Sequence, residues 1–136
     1  MRFRYFALLM LCGTMIAQTQ TSWECPDGSK KGHLRIRVSD GVTNSLATQK
    51  PLPDVSDLQG RKIESLVVIE ILTSTTGEVI CTRPASGSPD LFRRSQEAAF
   101  KWRFKPYEIQ GHYCDVETRI QFQYRKDKVK VLVSSR

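Results

Sequence analysis

The segment Cys114–Tyr124 (CDVETRIQFQY) alternates without a break: Val116, Thr118, Ile120, Phe122 and Tyr124 fall on one side of an extended chain, and Glu117, Arg119, Gln121 and Gln123 on the other. A helix cannot gather residues spaced by two onto one face, whereas a strand does so by its pleat. This segment is therefore predicted to be a strand with one dry and one wet face, and the rest of the chain must supply an apolar layer for the dry side.

Two further strands are readable upstream. Ser65–Thr73 (SLVVIEILT) is rich in β-branched residues and predicts a central strand. Ser74–Gly77 makes a tight connection, and Glu78–Pro84 (EVICTRP) returns as the second arm of a hairpin. Proline lacks the N–H that a ladder needs, so Pro84 places that arm at a sheet edge. Ser88, Pro89 and Asp90 then mark a helix start, with Ser88 expected to cap free N–H groups, Pro89 to suit the first turn and Asp90 to complement the dipole. In the helix, Leu91, Ser95, Ala98 and Trp102 recur on one face, widened by Phe92 and Ala99, while Arg93, Arg94, Gln96, Glu97 and Lys101 point elsewhere. Trp102 is expected in the core, and Pro106 stops the helical pattern.

Before this unit, His33–Ser39 (HLRIRVS) reads as an extra strand with Leu34, Ile36 and Val38 on its buried face. Asp40-Gly41 reads as a turn, and Pro51 and Pro53 make the following stretch a connector. After it, RKDKVKVLVSSR keeps a weak alternation at Val129, Val131 and Val133 and is expected to fray as a basic tail over 126–136. The fold class is thus α+β: a β-β-α-β unit over 34–125, with a small antiparallel sheet, one helix packed on it and the N-terminal extra strand. A right-handed crossover sets the strand order as hairpin return, central strand, final strand. The final strand then exposes its backbone along Glu117–Tyr124 unless the tail or another chain covers it.

The first residues constrain location. Arg2 and Arg4 precede an apolar run, Tyr5–Ala17, followed by polar residues. That run is about 13 residues, short of the roughly 20 that span a bilayer, and has the shape of a secretory signal peptide over 1–17, followed by an irregular lead-in over 18–33. Cys12 follows Leu11, too bulky for a lipoprotein processing site. The expected location is periplasmic or secreted, with an inner-membrane anchor the weaker reading. The whole chain carries 21 Lys+Arg against 14 Asp+Glu; loss of 1–17 leaves 19 basic side chains and a charge of +5, compatible with a protein that needs no nucleic acid.

Export leaves three cysteines, Cys25, Cys81 and Cys114, in an oxidising compartment, and three pairings are open. Strand parity puts Cys114 with Val116 and Ile120 but Cys81 with Arg83, which argues against a Cys81–Cys114 bridge and leaves one from Cys25 open. No CxxC occurs, and His33 and His112 are scattered, so no metal site is expected. A Cys114–His112 pair lacks an acid to orient the imidazole; the glycines are isolated; the carboxylates form no acid-base pair. The expectation is a noncatalytic chain without a cofactor.

Three motifs carry a family resemblance: Gly77-Glu-Val79, Ala85-Ser-Gly-Ser-Pro89, and Ala98-Ala-Phe-Lys-Trp102-Arg-Phe104-Lys-Pro106. Their order and spacing resemble the C-terminal domain of the TonB energy-transducer family, and LRIRVSDGV and PYEIQGHYCDVETRIQFQY are similar to its flanking segments in periplasmic members. The Tyr-Pro pair that commonly opens that domain is Leu52-Pro53 here, and the usual anchor and Pro-rich spacer are not seen. The resemblance implies a β-β-α-β domain that takes an extended peptide of an outer-membrane transporter at its sheet edge, linked to transport across that membrane. The partner-binding edge expected here comprises Glu117, Arg119, Ile120, Gln121, Phe122, Gln123 and Tyr124. Alternatives are a structural envelope domain whose edge pairs with a second copy, and an envelope thiol enzyme using Cys114.

Overall fold

The computed structural model describes residues 22–26 and 34–132. The expected signal peptide, His33 and most of the lead-in lie outside the described residues, as do 133–136. The elements run β1 (Arg35–Arg37), α1 (Asp40–Leu46), β2 (Ala47–Gln49), β3 (Glu64–Thr73), β4 (Val79–Ser86), α2 (Phe92–Phe100), β5 (Arg103–Phe104), β6 (Tyr107–Ile109), β7 (His112–Arg125) and β8 (Lys128–Leu132). The described residues form an α+β structure, with one large sheet and two α-helices.

That sheet has six strands. β3 lies between β4 and β7 and is antiparallel to both, so the expected order of return, central and final strand is found. β7 also pairs with β1 in parallel and with β6 and β8 in antiparallel fashion, while β2 and β5 form a separate two-stranded ribbon. The sheet is accordingly larger than the small antiparallel one expected, and it contains a parallel pair. Three sequence expectations change with it. Asp40-Gly41 opens α1 instead of a turn. The segment expected to fray supplies β8. β1 is only a marginal strand, with Ile36 and Val38 half-buried and Leu34 57% exposed.

Val67, Ile69 and Ile71 of β3 and Ile120, Phe122 and Tyr124 of β7 make one apolar face, on which Leu91, Ala98, Ala99 and Trp102 pack. Trp102 is buried as its spacing requires, edge-on to Phe122 with centroids 6.2 Å apart. Its Nε1 donates to the Pro51 carbonyl at 3.0 Å, which ties the proline-rich connector to the core. α2 ends at Phe100, earlier than its apolar spacing suggests, because Arg103 and Phe104 leave to pair with β2. Ser88 makes no side-chain cap; its N–H and hydroxyl instead meet the Ser65 hydroxyl at 3.2 and 3.1 Å. Gln96 is buried and does not face solvent, its Nε2 donating to Thr82 Oγ1 at 3.0 Å.

The β3–β4 connection depends on Gly77. Its φ is +86°, and a Cβ there would stand 2.0 Å from the Phe104 carbonyl oxygen. The close approach allows Phe104 N–H to donate to Gly77 O at 2.9 Å, joining the hairpin to the end of the helical segment. One irregularity follows in β4: Leu72 pairs with Cys81 and Thr73 with Val79, so an extra residue bulges between them. Val79 therefore enters the core, and Cys81 turns to the opposite face with Arg83.

Candidate functional site

The predicted site is the outer side of β7, and its backbone polarity can be traced residue by residue. Asp115 N–H donates to Leu34 O at 2.9 Å, and Glu117 O accepts from Val38 N–H at 3.1 Å, so the odd-numbered residues turn their main chain away from β3. Arg119, Gln121, Gln123 and Arg125 continue that set. Gln121, Gln123 and Arg125 pair with Leu132, Lys130 and Lys128 of β8. Glu117 pairs with Arg37 of β1 in register, and their side chains form an ion pair. The edge expected to be free is therefore occupied at both ends by this chain's own strands.

Between β1 and β8 the outer side of β7 meets α1. Asp40 accepts from Arg119 Nε at 2.9 Å and from Gln121 Nε2 at 2.6 Å, and Thr43 bonds to Thr118 through their hydroxyls. A helix of seven residues is too short to persist alone, so these contacts hold it in place. Asp40 in its first turn also suits the positive end of its dipole.

The seven predicted residues consequently divide. Ile120, Phe122 and Tyr124 are core side chains; Tyr124 Oη shares a hydrogen bond with Ser95 Oγ at 2.7 Å, and burial pushes its phenol above the usual range. Glu117, Arg119, Gln121 and Gln123 lie on the opposite face of the sheet. There, Glu117, Arg119 and Glu70 line an open groove of about 740 Å³ together with Arg37 and Asp40. Glu70 is held by Arg83, Nε to Oε2 2.7 Å, and the Arg83 guanidinium lies 4.5 Å from the centre of the Trp23 ring.

The cysteines separate in the same way. Cys25 and Cys81 form a disulfide, and Cys114 is a buried free thiol on the core face. Cys114 Sγ donates to the His112 carbonyl at 3.5 Å, whereas the His112 side chain is exposed. Among the described residues no group of three His, Cys, Asp or Glu is placed to hold a metal ion.

With β7 covered, the sheet margins pass to β4 on one side and to β1, β6 and β8 on the other, and the two longest of these strands are β4 and β8. At β4, Glu24 and Thr82 exchange backbone hydrogen bonds of 2.8 and 3.0 Å, which shows that Thr82 turns its main chain outward. Residue 84 follows in the same phase, so the missing N–H of Pro84 falls on the side away from β3 and costs no ladder bond. At β8 the pairing closes on a two-residue turn, with Lys126 at φ +58°. Lys128 and Lys130 then bond inward to β7, and Val129 and Val131 turn their N–H and C=O outward. Among the described residues β8 pairs with β7 alone. No family model, curated protein or solved structure matches the chain.

Proposed function

We propose that this chain is an exported, noncatalytic module resembling the TonB C-terminal domain, which binds an extended segment of an envelope protein, an outer-membrane transporter in the resembled family, by strand addition, and that the accepting edge is the outer side of β8. The observation that carries this reading is the one-sided pairing of β8, which leaves the main chains of Val129 and Val131 directed away from the sheet. An extended segment meets such an edge through main-chain hydrogen bonds, with alternate side chains supplying selectivity. The succession of β3, β4, α2 and β7 supports the resemblance, and the Cys25–Cys81 disulfide supports an oxidising compartment. No described helix is long and apolar enough to cross a membrane. Burial of Cys114 speaks against the thiol-enzyme alternative, because a nucleophilic thiolate needs access and a stabilising charge.

Proline at the two phases of β8 and β7 separates this reading from the sequence expectation. Gln121→Pro removes a donor used by β8 and should loosen the strand; Val131→Pro removes an outward donor and leaves the ladder whole. The Val131→Pro protein should keep the wild-type circular dichroism spectrum and melting profile while losing retention of partner from outer-membrane extracts. Full retention by a folded Val131→Pro protein would sink the proposal.

A further inference from the structure

The β8 margin is chemically asymmetric, and the asymmetry bears on what can pair with it. Cross-strand partners share a face, so the pairs Arg125–Lys128 and Gln123–Lys130 place three cations together on the face opposite the core. Lys126 in the turn adds a fourth, and Asp127 is the single acid in the segment RKDKVKVL. Glu64 approaches Arg125 at 3.6 Å, both side chains being largely exposed. On the other face Val129 and Val131 lie against the core cluster, half-buried. Over Lys128–Val131 the margin thus offers a period-two pattern of its own, lysine on one face and valine on the other, with Leu132 ending the lysine face.

We infer that the partner of this edge is an extended peptide in which acidic residues alternate with apolar ones. This rests on strand addition at β8 and names the chemistry of the strand that is added. Acids at every second position stand opposite Lys128 and Lys130, and the residues between them extend the apolar surface of Val129 and Val131. The same pattern disfavours a second copy of this chain. Two β8 strands paired edge to edge bring lysines near lysines on one face, and edge lysines are a common means of blocking such self-pairing.

The test measures binding of the whole exported protein to synthetic octapeptides by fluorescence anisotropy: one alternating Val and Glu, one alternating Val and Lys, and a Val/Glu peptide N-methylated at every second residue. The Val/Glu peptide should bind about tenfold more tightly than the Val/Lys peptide, with the gap shrinking as salt screens the pairs. In Lys128→Glu/Lys130→Glu protein the preference should invert, and both substitutions lie at exposed positions that leave the core untouched. Equal binding of the two charged peptides, or binding of neither, overturns the inference. If binding is equal yet abolished by N-methylation, strand addition stands and only the partner chemistry falls. If N-methylation has no effect, strand addition itself falls. A wild-type dimer in light scattering that Val131→Pro converts to monomer also overturns the inference, because the edge is then taken by a second copy.

Discussion

Two marginal strands on opposite sides of the sheet, β4 and β8, are finished differently. At β4 the outward groups of Thr82 are taken by Glu24, Pro84 presents no donor, and a disulfide from Cys25 to Cys81 fastens the covering segment one residue away from the bridge. Trp23, one residue to the other side, lies beneath the Arg83 guanidinium. At β8 nothing among the described residues pairs with the outward groups, and the flanking side chains are lysines. An edge strand is hazardous wherever it is both open and apolar. β4 is closed covalently, whereas β8 is guarded by charge, which repels some partners and admits others. Closure and selectivity are thus separate devices, and only the second leaves room for recognition.

The largest expected effect comes from removing the closure. Cys25→Ser/Cys81→Ser opens a loop whose ends are 56 residues apart in sequence. By the chain-entropy estimate for a loop of that size the variant should lose about 4 kcal/mol of stability. Urea unfolding under oxidising conditions measures the loss, and hydrogen exchange should show the Thr82 amide released before the amides of β3. A loss near zero, with Thr82 still protected, would mean that Glu24 and Trp23 hold the segment without the bond and that the contrast between the margins is not covalent in origin.

A smaller effect is expected at the junction that lets β8 exist as a margin. Asp40 receives hydrogen bonds from Arg119 and Gln121 while its own side chain is only 8% exposed. Asp40→Ala removes both bonds and should cost about 2 kcal/mol, held to that by the solvent available to Arg119. The α1 amides and the β1–β7 pairs should exchange faster, with the β3–β4 hairpin unchanged. Smaller again is Tyr124→Phe. It deletes one buried hydroxyl while Ser95 keeps its bond to Leu91 O at 2.7 Å, so about 1 kcal/mol should be lost. Peptide binding at β8 should not change, because Tyr124 is a core residue; a lost affinity in a stable Tyr124→Phe protein would return the site to β7.

Much of the frame was legible because it depends on period and on single-residue chemistry. The β3–β4 hairpin, the dry face of β7, the burial of Trp102 and the edge position of Pro84 all follow from side-chain spacing or a missing donor. The misread elements are those whose local sequence describes a different state from the one tertiary contacts select. Asp40-Gly41 has the chemistry of a turn, yet burial of Asp40 and Thr43 against β7 draws it into a short helix. Lys128–Leu132 has the composition of a solvated tail, yet two valines over the core and a two-residue turn fold it back onto β7. With β1 at Glu117 and α1 at Arg119, that event hides the predicted edge, and it creates the one proposed here. Parity did separate Cys81 from Cys114, but the bulge between Val79 and Cys81 was invisible, and the partnership of Cys25 required a bridge to Thr82 that no spacing rule encodes.

The smallest expected effect lies away from both margins and provides their control. Arg94 on α2 donates to Asp57 through both terminal nitrogens, each at 2.8 Å, and to the Asp54 carbonyl at 2.6 Å, clasping the connector to the helix. The hydrogen bond from Arg94 lowers the Asp57 carboxyl from 3.8 to about 2, and the N–H of Ser56 lowers that of Asp54. A carboxyl depressed in the folded state contributes stability that is present above its ordinary value and is lost as pH falls through the folded one. Wild type should therefore exceed Asp57→Asn in melting temperature above about pH 4, with the difference closing toward pH 2. Asp54 titrates in both proteins and is held down first by the Ser56 N–H, which the substitution leaves in place. Because the carboxylate is exposed, the difference should be small and should shrink in high salt. Peptide binding at β8 should be equal in the two proteins at neutral pH. A difference that stays constant down to pH 2 would show that the ion pair is not its source, and altered peptide affinity would show that the β8 margin is coupled to a clasp it does not touch.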